Sequence, residues 1–278
     1  MELSASQLTQ LKEIELEIFR SFIQLCGQLN LKYYVLGGTL LGAVRHQGFI
    51  PWDDDIDVGM PRKDYETLLA LGQQYLPEGL FLQTFQTDPG YPANFAKLRN
   101  SHTTFVEYSL KDCSMNHGIY IDIFPLDYYP DAGQRLFEAK KLLMSLRITD
   151  AFSTSGMKPA TKMIRWISRV LYPSVSGAVK KREALFTSVT HGEKIANHCG
   201  AWEKKEIMPA AWYGDGVLVP FEGMQVKAPC CYHEWLTQVY GNYMQLPPAE
   251  KRIPHHYVDA FETDIPYTHY LERNSHIL

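Results

Sequence analysis

The chain has 278 residues, of which 45% are hydrophobic and 21% charged, and its formal net charge is -4. This length accommodates one large domain or two modest ones, and the composition is that of an ordinary globular protein. We expect no nucleic-acid partner, because nucleic-acid binding needs a basic face that this charge balance does not indicate.

The first thirty residues do not resemble a signal peptide, since Lys12, Arg20 and several glutamates interrupt the apolar positions. No run approaches the roughly 20 apolar residues that span a bilayer. The five cysteines are odd in number and scattered, which argues against a disulfide framework and for a reducing compartment. We therefore expect a cytoplasmic protein.

Apolar residues between Leu8 and Leu25 recur at helical spacing and predict a long opening helix that ends near Asn30. The other elements predicted in the first half are a buried strand at 33–36, a Gly37-Gly38 turn, a short helix at 39–44, a strand at 56–58, a helix at 62–71 closed by Gly72 or by 77–79, and a strand from 118 that stops at Pro125.

The predicted secondary structure changes beyond Pro130 from alternating strands and helices to mainly helices. Residues 134–148 and 162–171 have helical patterns, and 153–159 resembles a loop. From Trp212 onward, glycine, proline and aromatic residues predict short strands and turns.

A dense group of carboxylates carries the strongest functional signal. Asp55 and Asp57 flank Ile56, so in a strand both carboxylates lie on one face. Two carboxylates side by side repel unless a cation lies between them, and a divalent metal that carries a phosphate substrate explains them most simply. Asp122, embedded in the later strand, is the candidate third carboxylate, as a metal ligand or as the base that accepts the acceptor's proton.

The Gly37-Gly38 turn precedes this group and allows the backbone to approach a phosphate closely. The amides at the start of the next helix, from Thr39, supply donors and a favourable dipole, and Arg45 can pair with a phosphate bidentately. A Gly-Gly pair alone is usually a turn, and an isolated aspartate cluster is usually a solvated loop. Their combination with Asp122 favours a site.

Several further residues are weaker candidates. Lys97 and Arg99 alternate in a predicted strand, where they neutralise a pyrophosphate or form a solvated pair on an edge strand. His117 contacts the nucleotide or the acceptor, or simply caps a loop. One of His255 and His256 holds a phosphate or the acceptor. Zinc is the rival hypothesis for the histidines, with ligands from Cys230, Cys231 and His233, but adjacent cysteines lack the usual spacing.

A choline head group would need an aromatic box that attracts its positive charge. Trp52 is the aromatic residue expected near the metals, and four others are undirected candidates: Trp202, Trp212, Tyr213 and Trp235. The helix at 162–171 combines an apolar stripe with Lys162, Arg165 and Arg169. It either rests on an anionic membrane surface, as peripheral contact with the inner membrane, or packs on the core with solvated arginines.

The order of strand, Gly-Gly turn, short helix, Asp-x-Asp and later aspartate resembles the nucleotidyltransferase superfamily typified by DNA polymerase β. Longer segments resemble the LicD family, and together they span most of the chain. They are GGTLLGAVRH at 37–46, GFIPWDDDID at 48–57, DIFPLD at 122–127, and YGNYMQLPP at 240–248 with Lys251-Arg252 and His255-His256 after it.

The resemblance implies metal-dependent transfer of a phospho-alcohol onto a glycan. Bacterial members transfer phosphocholine from CDP-choline to teichoic acid or lipopolysaccharide sugars, and the related fukutin group transfers ribitol phosphate from CDP-ribitol. The positions that carry over as metal and catalytic residues are Asp53, Asp55, Asp57 and Asp122. Two Mg²⁺ ions, with Mn²⁺ as a substitute, are the expected cofactors. Asp54 is left out, because in a regular strand it would point away from this group.

The implied fold is α+β, with a nucleotidyltransferase-like mixed sheet flanked by helices over residues 1–130. Residues 131–278 would form a C-terminal helical and irregular extension that covers the active site and contributes to binding the glycan acceptor, free or lipid-linked. Two alternatives stay open: a nucleotidyltransferase that moves NMP from an NTP to a small acceptor and releases pyrophosphate, and a catalytically inactive nucleotide-binding scaffold. The complete acidic set disfavours the scaffold.

Overall fold

The computed structural model describes residues 2–149, 159–254 and 256–275. Within these ranges the helices are α1 Ala5–Leu29, α2 Gly37–His46, α3 Arg62–Leu71, α4 Gln134–Ile148, α5 Pro159–Leu171, α6 Val175–Phe186, α7 Tyr232–Tyr240 and α8 Tyr267–Ser275. The strands are β1 Tyr34–Val35, β2 Asp57–Pro61, β3 Leu80–Gln83, β4 Ala96–Asn100, β5 Thr104–Glu107, β6 Ile119–Tyr128, β7 Lys194–Asn197, β8 Ile207–Pro209, β9 Val217–Phe221, β10 Met224–Ala228 and β11 Val258–Glu262.

A mixed sheet organises the fold in the order β1-β2-β6-β4-β3, and β7 and β8 extend it from β6. β2 and β6 are parallel, and the other pairs are antiparallel. β6 is buried over nearly its whole length, which fits its central position. Helices α1 and α3 both contact β6, so the predicted sheet flanked by helices is confirmed at this level.

Helix α1 confirms the predicted opening helix. Ser4 caps its N-terminus through the Gln7 amide, and Asn30 ends it in the left-handed conformation (φ 51°). Its apolar face is buried, and Phe22 packs edge-on to Tyr33 with ring centroids 5.3 Å apart. This face supplies much of the core beneath the sheet.

The predicted helices at 62–71 and 134–148 have the observed bounds, whereas the helix predicted at 162–171 begins at Pro159 and several boundaries near the carboxylates also differ. Helix α2 begins at Gly37 rather than at Thr39, so both glycines belong to its first turn. Asp55 precedes β2 instead of lying in it. β6 does not stop at Pro125, because this proline falls where β6 exchanges its partner β4, paired up to Ile123, for β7.

The last third contains the predicted short strands and turns together with helices α7 and α8. Strands β7 and β8, from beyond residue 130, join the central sheet. A division into 1–130 and 131–278 stays a prediction. The predicted loop at 153–159 lies outside the described residues except for its last position. Among the described helices, none combines the length and the apolar character that crossing a bilayer requires.

Candidate functional site

The glycine turn and the carboxylates meet at the start of α2. Gly37 has a left-handed backbone (φ 53°), and a Cβ there would lie 2.7 Å from Asp57 Oδ2. A Cβ on Gly38 would overlap Asp53 Oδ2. These two positions need glycine because carboxylates occupy the space that a side chain would fill. The first amides of α2 therefore lie beside the acidic group.

Two aspartates and a lysine lie side by side across the sheet. Asp57 of β2 is the register partner of Asp122 on the parallel strand β6, and Asp122 is the partner of Lys97 on β4. The Lys97 ammonium lies 2.9 Å from Asp122 Oδ1. Asp57 is fixed by its own amide, which donates to the Thr39 hydroxyl at 2.8 Å. The prediction that Asp122 lies beside Asp57 is confirmed.

Residues 53–56 are irregular, and this changes the position of Asp54. Asp54 is buried, and its carboxylate accepts the His256 amide at 2.9 Å and lies 3.2 Å from the His256 Nδ1. Asp54 does not point away from the acidic group as it would in a regular strand, because these residues do not form one. Asp54, Asp55 and His256 bring ligand atoms within 4.8 Å of one another.

Burial and mutual repulsion make these carboxyl groups hard to ionise. Burial, followed by repulsion from neighbouring aspartates, raises the pKa of Asp53 and of Asp55 to about 7. Burial also raises the pKa of Asp57 and of Asp122, although Lys97 opposes the shift at Asp122. At neutral pH these acids therefore tend to keep their protons, and a cation that bound among them would displace the protons and leave carboxylates.

Positive charge within the protein balances part of this group. Burial lowers the pKa of His256, but the hydrogen bond to Asp54 and the charges of Asp55 and Glu107 outweigh burial and raise it to about 9. Because a protonated imidazole has no free lone pair, His256 acts as a counter-charge rather than as a metal ligand in this state.

Lys97 is the second counter-charge. It is buried, pairs with Asp122 and with Glu107 at 3.4 Å, and lies 3.3 Å from the centroid of the Tyr120 ring. Burial opposes ionisation of Glu107, yet Lys97 and His256 lower its pKa to about 2. Lys97 therefore joins β4, β5 and β6 electrostatically at the edge of the acidic group.

Three neighbouring cavities, which share lining residues, lie at the acidic group. The carboxylate cavity, about 260 Å³, contains Asp55, Asp57 and Asp122 together with Gly37 and Gly38. The Arg45 cavity, also about 260 Å³, shares with it Gly38, Trp202 and Tyr240. The α4 cavity, about 650 Å³, shares with it Phe95, Cys199 and Gly200. The other two cavities thus adjoin the carboxylate cavity at different places.

The Arg45 cavity collects several predicted residues. Arg45, Trp52 and Asp53 line it together with Lys251. Arg45 donates to the Tyr243 carbonyl at 2.8 Å, and this bond holds its guanidinium in the cavity wall. The structure therefore brings Arg45 and Trp52 to Asp53, but it does not place them in the carboxylate cavity itself.

Other predicted residues lie away from the acidic group. Arg99 is fully buried, where it donates to Gln83 and Gly118. His117 is buried, and its Nε2 lies 2.8 Å from the Cys113 carbonyl. Neither residue lines the three cavities. His255 lies outside the described residues.

The rival zinc hypothesis gains no support from the geometry. In the described part of the chain, Cys230, Cys231 and His233 form no group with ligand atoms within 4.8 Å. His233 lies 2.8 Å from the Tyr243 hydroxyl instead. The acidic oxygens, by contrast, suit Mg²⁺ or Mn²⁺, which prefer carboxylate ligands. Their donor type, their raised pKa values and the side-chain-free glycines fit a divalent cation.

Among the aromatic candidates, Trp202 lines both the carboxylate and the Arg45 cavities, and its ring meets Tyr240 edge-on at 5.1 Å. Tyr213 and Trp235 are core residues instead. Sequence reasoning missed Tyr240 as a site residue, although it begins the segment 240–248. It also missed Glu206, a buried acid in the same cavity whose pKa burial raises to about 7, because nothing in its sequence context distinguishes it.

Comparison with known proteins adds a family relationship. The model of the family described as LicD/FKTN/FKRP, nucleotidyltransferase domain, matches residues 30–174. The chain is 30% identical over 258 residues to lipopolysaccharide cholinephosphotransferase LicD of Haemophilus influenzae, a match that covers 88% of this chain and 94% of that protein.

Two further matches are shorter. An uncharacterised protein of Rickettsia prowazekii is 35% identical over 116 residues, 41% of this chain and 40% of the relative. Human ribitol 5-phosphate transferase FKRP is 49% identical over 35 residues, which cover 13% of this chain and 7% of that protein.

Proposed function

Since this chain belongs to the LicD family, we propose that it is a transferase that moves phosphocholine, or a similar phospho-alcohol, from a CDP-alcohol to a sugar hydroxyl. The acceptor would be a cell-surface glycan precursor such as lipopolysaccharide or teichoic acid, and CMP would leave. The observation that carries the proposal is the convergence of Asp55, Asp57 and Asp122 with the start of α2 on one cavity.

The acidic group supplies a place for the diphosphate of the donor. Mg²⁺ or Mn²⁺ held by Asp53, Asp55, Asp57 and Asp122 would provide Lewis-acid polarisation and neutralise the phosphate charge. The amides of α2 add donors next to the same oxygens, and no Cβ at Gly37 or Gly38 blocks their approach. These groups would hold the phosphorus that carries the alcohol in a fixed orientation.

The aromatic wall of the carboxylate cavity supports choline as the alcohol. Trp202 and Tyr240 form an edge-on pair, and Phe95 and Phe124 form a tilted pair with centroids 4.6 Å apart. Aromatic faces attract a quaternary ammonium by cation–π interaction. A head group with this charge would therefore lie against the aromatic wall of the same cavity.

We assign the cytidine half of the donor to the Arg45 cavity. Arg45 and Lys251 supply positive charge there, and Trp52 offers an aromatic surface for a base. We assign the acceptor to the α4 cavity, whose lining mixes charged and hydroxyl groups around Tyr91 and Phe95, as a sugar requires. The Tyr91 hydroxyl is buried without a hydrogen-bond partner among the described residues.

In the proposed reaction the acceptor oxygen forms a bond to the phosphorus that carries the alcohol. The bond from this phosphorus to the bridging oxygen breaks, and CMP leaves with the electron pair. Asp122, which lies between the carboxylate cavity and Lys97, would accept the hydroxyl proton.

We propose a cytoplasmic location, which the cysteines support. All five cysteines are free, which supports the cytoplasm or another reducing compartment. The proposed reaction would then take place where the nucleotide donor is made.

Incubation of the purified protein with Mg²⁺ and either CDP-choline or CTP tests the reaction type. We expect CMP from CDP-choline in the presence of a glycan acceptor, and we expect no pyrophosphate from CTP. Pyrophosphate release would identify a nucleotidyltransferase instead. Donor binding with no metal-dependent product under either condition would identify the inactive scaffold.

A further inference from the structure

Helix α5 turns a stripe of apolar side chains toward solvent. The stripe, called the α5 face below, recurs at spacings of three and four residues, so its members lie on one side of the helix. The exposed fractions are 62% for Met163, 65% for Trp166, 37% for Ile167, 60% for Val170 and 50% for Leu171. This exposure differs from that of a core helix, in which the apolar stripe is buried.

The helix is held in place by its other side. Ser168 is fully buried, and its hydroxyl donates to the Leu143 carbonyl of α4 at 2.7 Å. At about 100° per residue, Ser168 lies away from the middle of the α5 face. Of the two alternatives for this helix, packing of the stripe on the core is therefore not the one observed, because α5 contacts α4 with a different side.

The segment that carries the α5 face is basic in sequence. Residues 159–182 contain no aspartate or glutamate but six cationic residues, which are Lys162, Arg165, Arg169, Lys180, Lys181 and Arg182. The whole chain has a net charge of -4, so this segment differs sharply from the rest. Lys162, Arg165 and Arg169 fall on one border of the α5 face at about 100° per residue. Lys181 lies 5.3 Å from the ring of Tyr172, just beyond the end of the helix.

We infer that the α5 face docks on an anionic lipid surface. A helix that lies in such an interface inserts its apolar side among the acyl chains, and its basic residues meet the lipid phosphates. A second copy of this chain fits less well, because a two-fold contact through α5 would bring two basic borders together. A phospholipid surface supplies both the apolar and the anionic partner.

This docking gives the α4 helix two roles, a consequence that rests on the proposed function. α4 carries α5 through Leu143, and it also lines the α4 cavity with Glu138, Leu142 and Ser145. Docking through α5 would thus hold the proposed acceptor cavity close to the membrane surface. A glycan attached to a lipid anchor would reach the cavity without leaving the membrane.

Sedimentation with vesicles tests the docking and requires no turnover. The full chain is mixed with vesicles of phosphatidylcholine alone, or with vesicles of phosphatidylcholine in which about one lipid in three is the anionic phosphatidylglycerol. We expect binding to the anionic vesicles that 0.5 M NaCl, roughly a threefold rise over physiological salt, weakens strongly. The double variant Met163→Ser, Val170→Ser should bind at least about tenfold more weakly, because both apolar insertions are lost.

The matched control is Tyr75→Ser with Leu218→Ser, two equally exposed residues (50% and 63%) on other elements. It should bind as the parent does. Lys162→Gln with Lys181→Gln should weaken anionic binding by about fivefold per charge. CMP release by the Met163, Val170 variant in the absence of vesicles should match the parent, so a loss of docking is distinguishable from a loss of chemistry.

Two results would overturn the inference. One is parent protein that fails to sediment with anionic vesicles, or sediments equally well after Met163 and Val170 are changed. The other is a dimer in analytical ultracentrifugation that the same two changes convert to a monomer, because a second copy would then cover the α5 face.

Discussion

Asp57 and Asp122 are register partners on two adjacent parallel strands, so their carboxylates share one face of the sheet. On the other side of Asp122, the register partner is Lys97 of β4. Lys97 forms an ion pair with Asp122. The positions are fixed by strand pairing rather than by flexible loops, which is what a preorganised phosphate site requires.

Replacement of either Asp55 or Asp57 by asparagine should reduce transfer by at least about 100-fold, because each carboxylate stabilises charge at the reacting phosphate. The fold should persist, since the change relieves repulsion among closely spaced acids. CMP release and thermal unfolding measure the two effects. Asp259→Asn, an exposed acid on β11, is the control and should behave as the parent. Turnover within about threefold of the parent in both site variants would contradict this role.

Metal binding should stabilise the protein more at high pH than at low pH. The folded-state pKa of Asp53 and Asp55 is about 7, above the ordinary value of 3.8. The stability these groups contribute is therefore full below pH 3.8 and is lost as the pH rises through 7. A cation competes with protons for the same oxygens. Saturating Mg²⁺ should raise the Tm by about 3 °C at pH 8 and by less than about 1 °C at pH 5.5.

The comparison that isolates the carboxylates is Asp53→Asn with Asp55→Asn. This double variant should show a small Mg²⁺ effect on Tm at both pH values. An equal Mg²⁺ effect at pH 5.5 and pH 8 in the parent would show that the ion binds elsewhere.

Loss of the Lys97 charge should destabilise the protein. Lys97→Met leaves Asp122 and Glu107 buried without their shared cation, which typically costs about 3–5 kcal/mol. Chemical denaturation measures the change in the free energy of unfolding. Lys32→Met provides the control, because the ion pair of Lys32 with Asp215 is exposed and contributes little. A Lys97→Met protein as stable as the control would show that Lys97 is not needed as a counter-charge.

A bulky side chain in the α4 cavity should hinder the acceptor but not the donor. Ala139→Trp adds volume at the cavity wall without disturbing the buried core. We expect the KM for a deacylated lipopolysaccharide oligosaccharide to rise by about tenfold, a loss of about 1.4 kcal/mol of binding. The KM for CDP-choline should stay constant. Leu136→Trp, an exposed position of α4 outside the cavity, controls for the added ring. A rise in the CDP-choline KM instead would reassign the cavity to the donor.

Local sequence pattern predicted those parts of the site in which sequence neighbours are also spatial neighbours. Gly37, Gly38 and the aspartates at 53–57 belong to one short segment, and β6 was evident from its β-branched residues, so Asp122 was predicted to lie beside them, as it does. Its register with Asp57 follows from strand pairing, which a single sequence does not encode locally.

The residues that sequence pattern missed depend on tertiary contacts. Residues 53–56 are not in strand conformation, and Asp54 therefore turns toward His256. The His256 amide, which is 202 residues away in sequence, donates a hydrogen bond to its carboxylate. Glu206 and Tyr240 reach the carboxylate cavity from distant elements. For Arg99, strand alternation correctly placed the side chain on the same face as Lys97. It did not predict that Arg99 is buried and donates hydrogen bonds to Gln83 and Gly118.

The most direct measurement follows choline label from CDP-choline to the deacylated lipopolysaccharide oligosaccharide in the presence of Mg²⁺. The parent protein should label the oligosaccharide and release CMP in equal amounts, chelation of the ion should stop both, and Asp57→Asn should stop both with Mg²⁺ present. Labelling that continues after chelation, or in the Asp57→Asn protein, would contradict the assignment of the carboxylates to phosphoryl transfer.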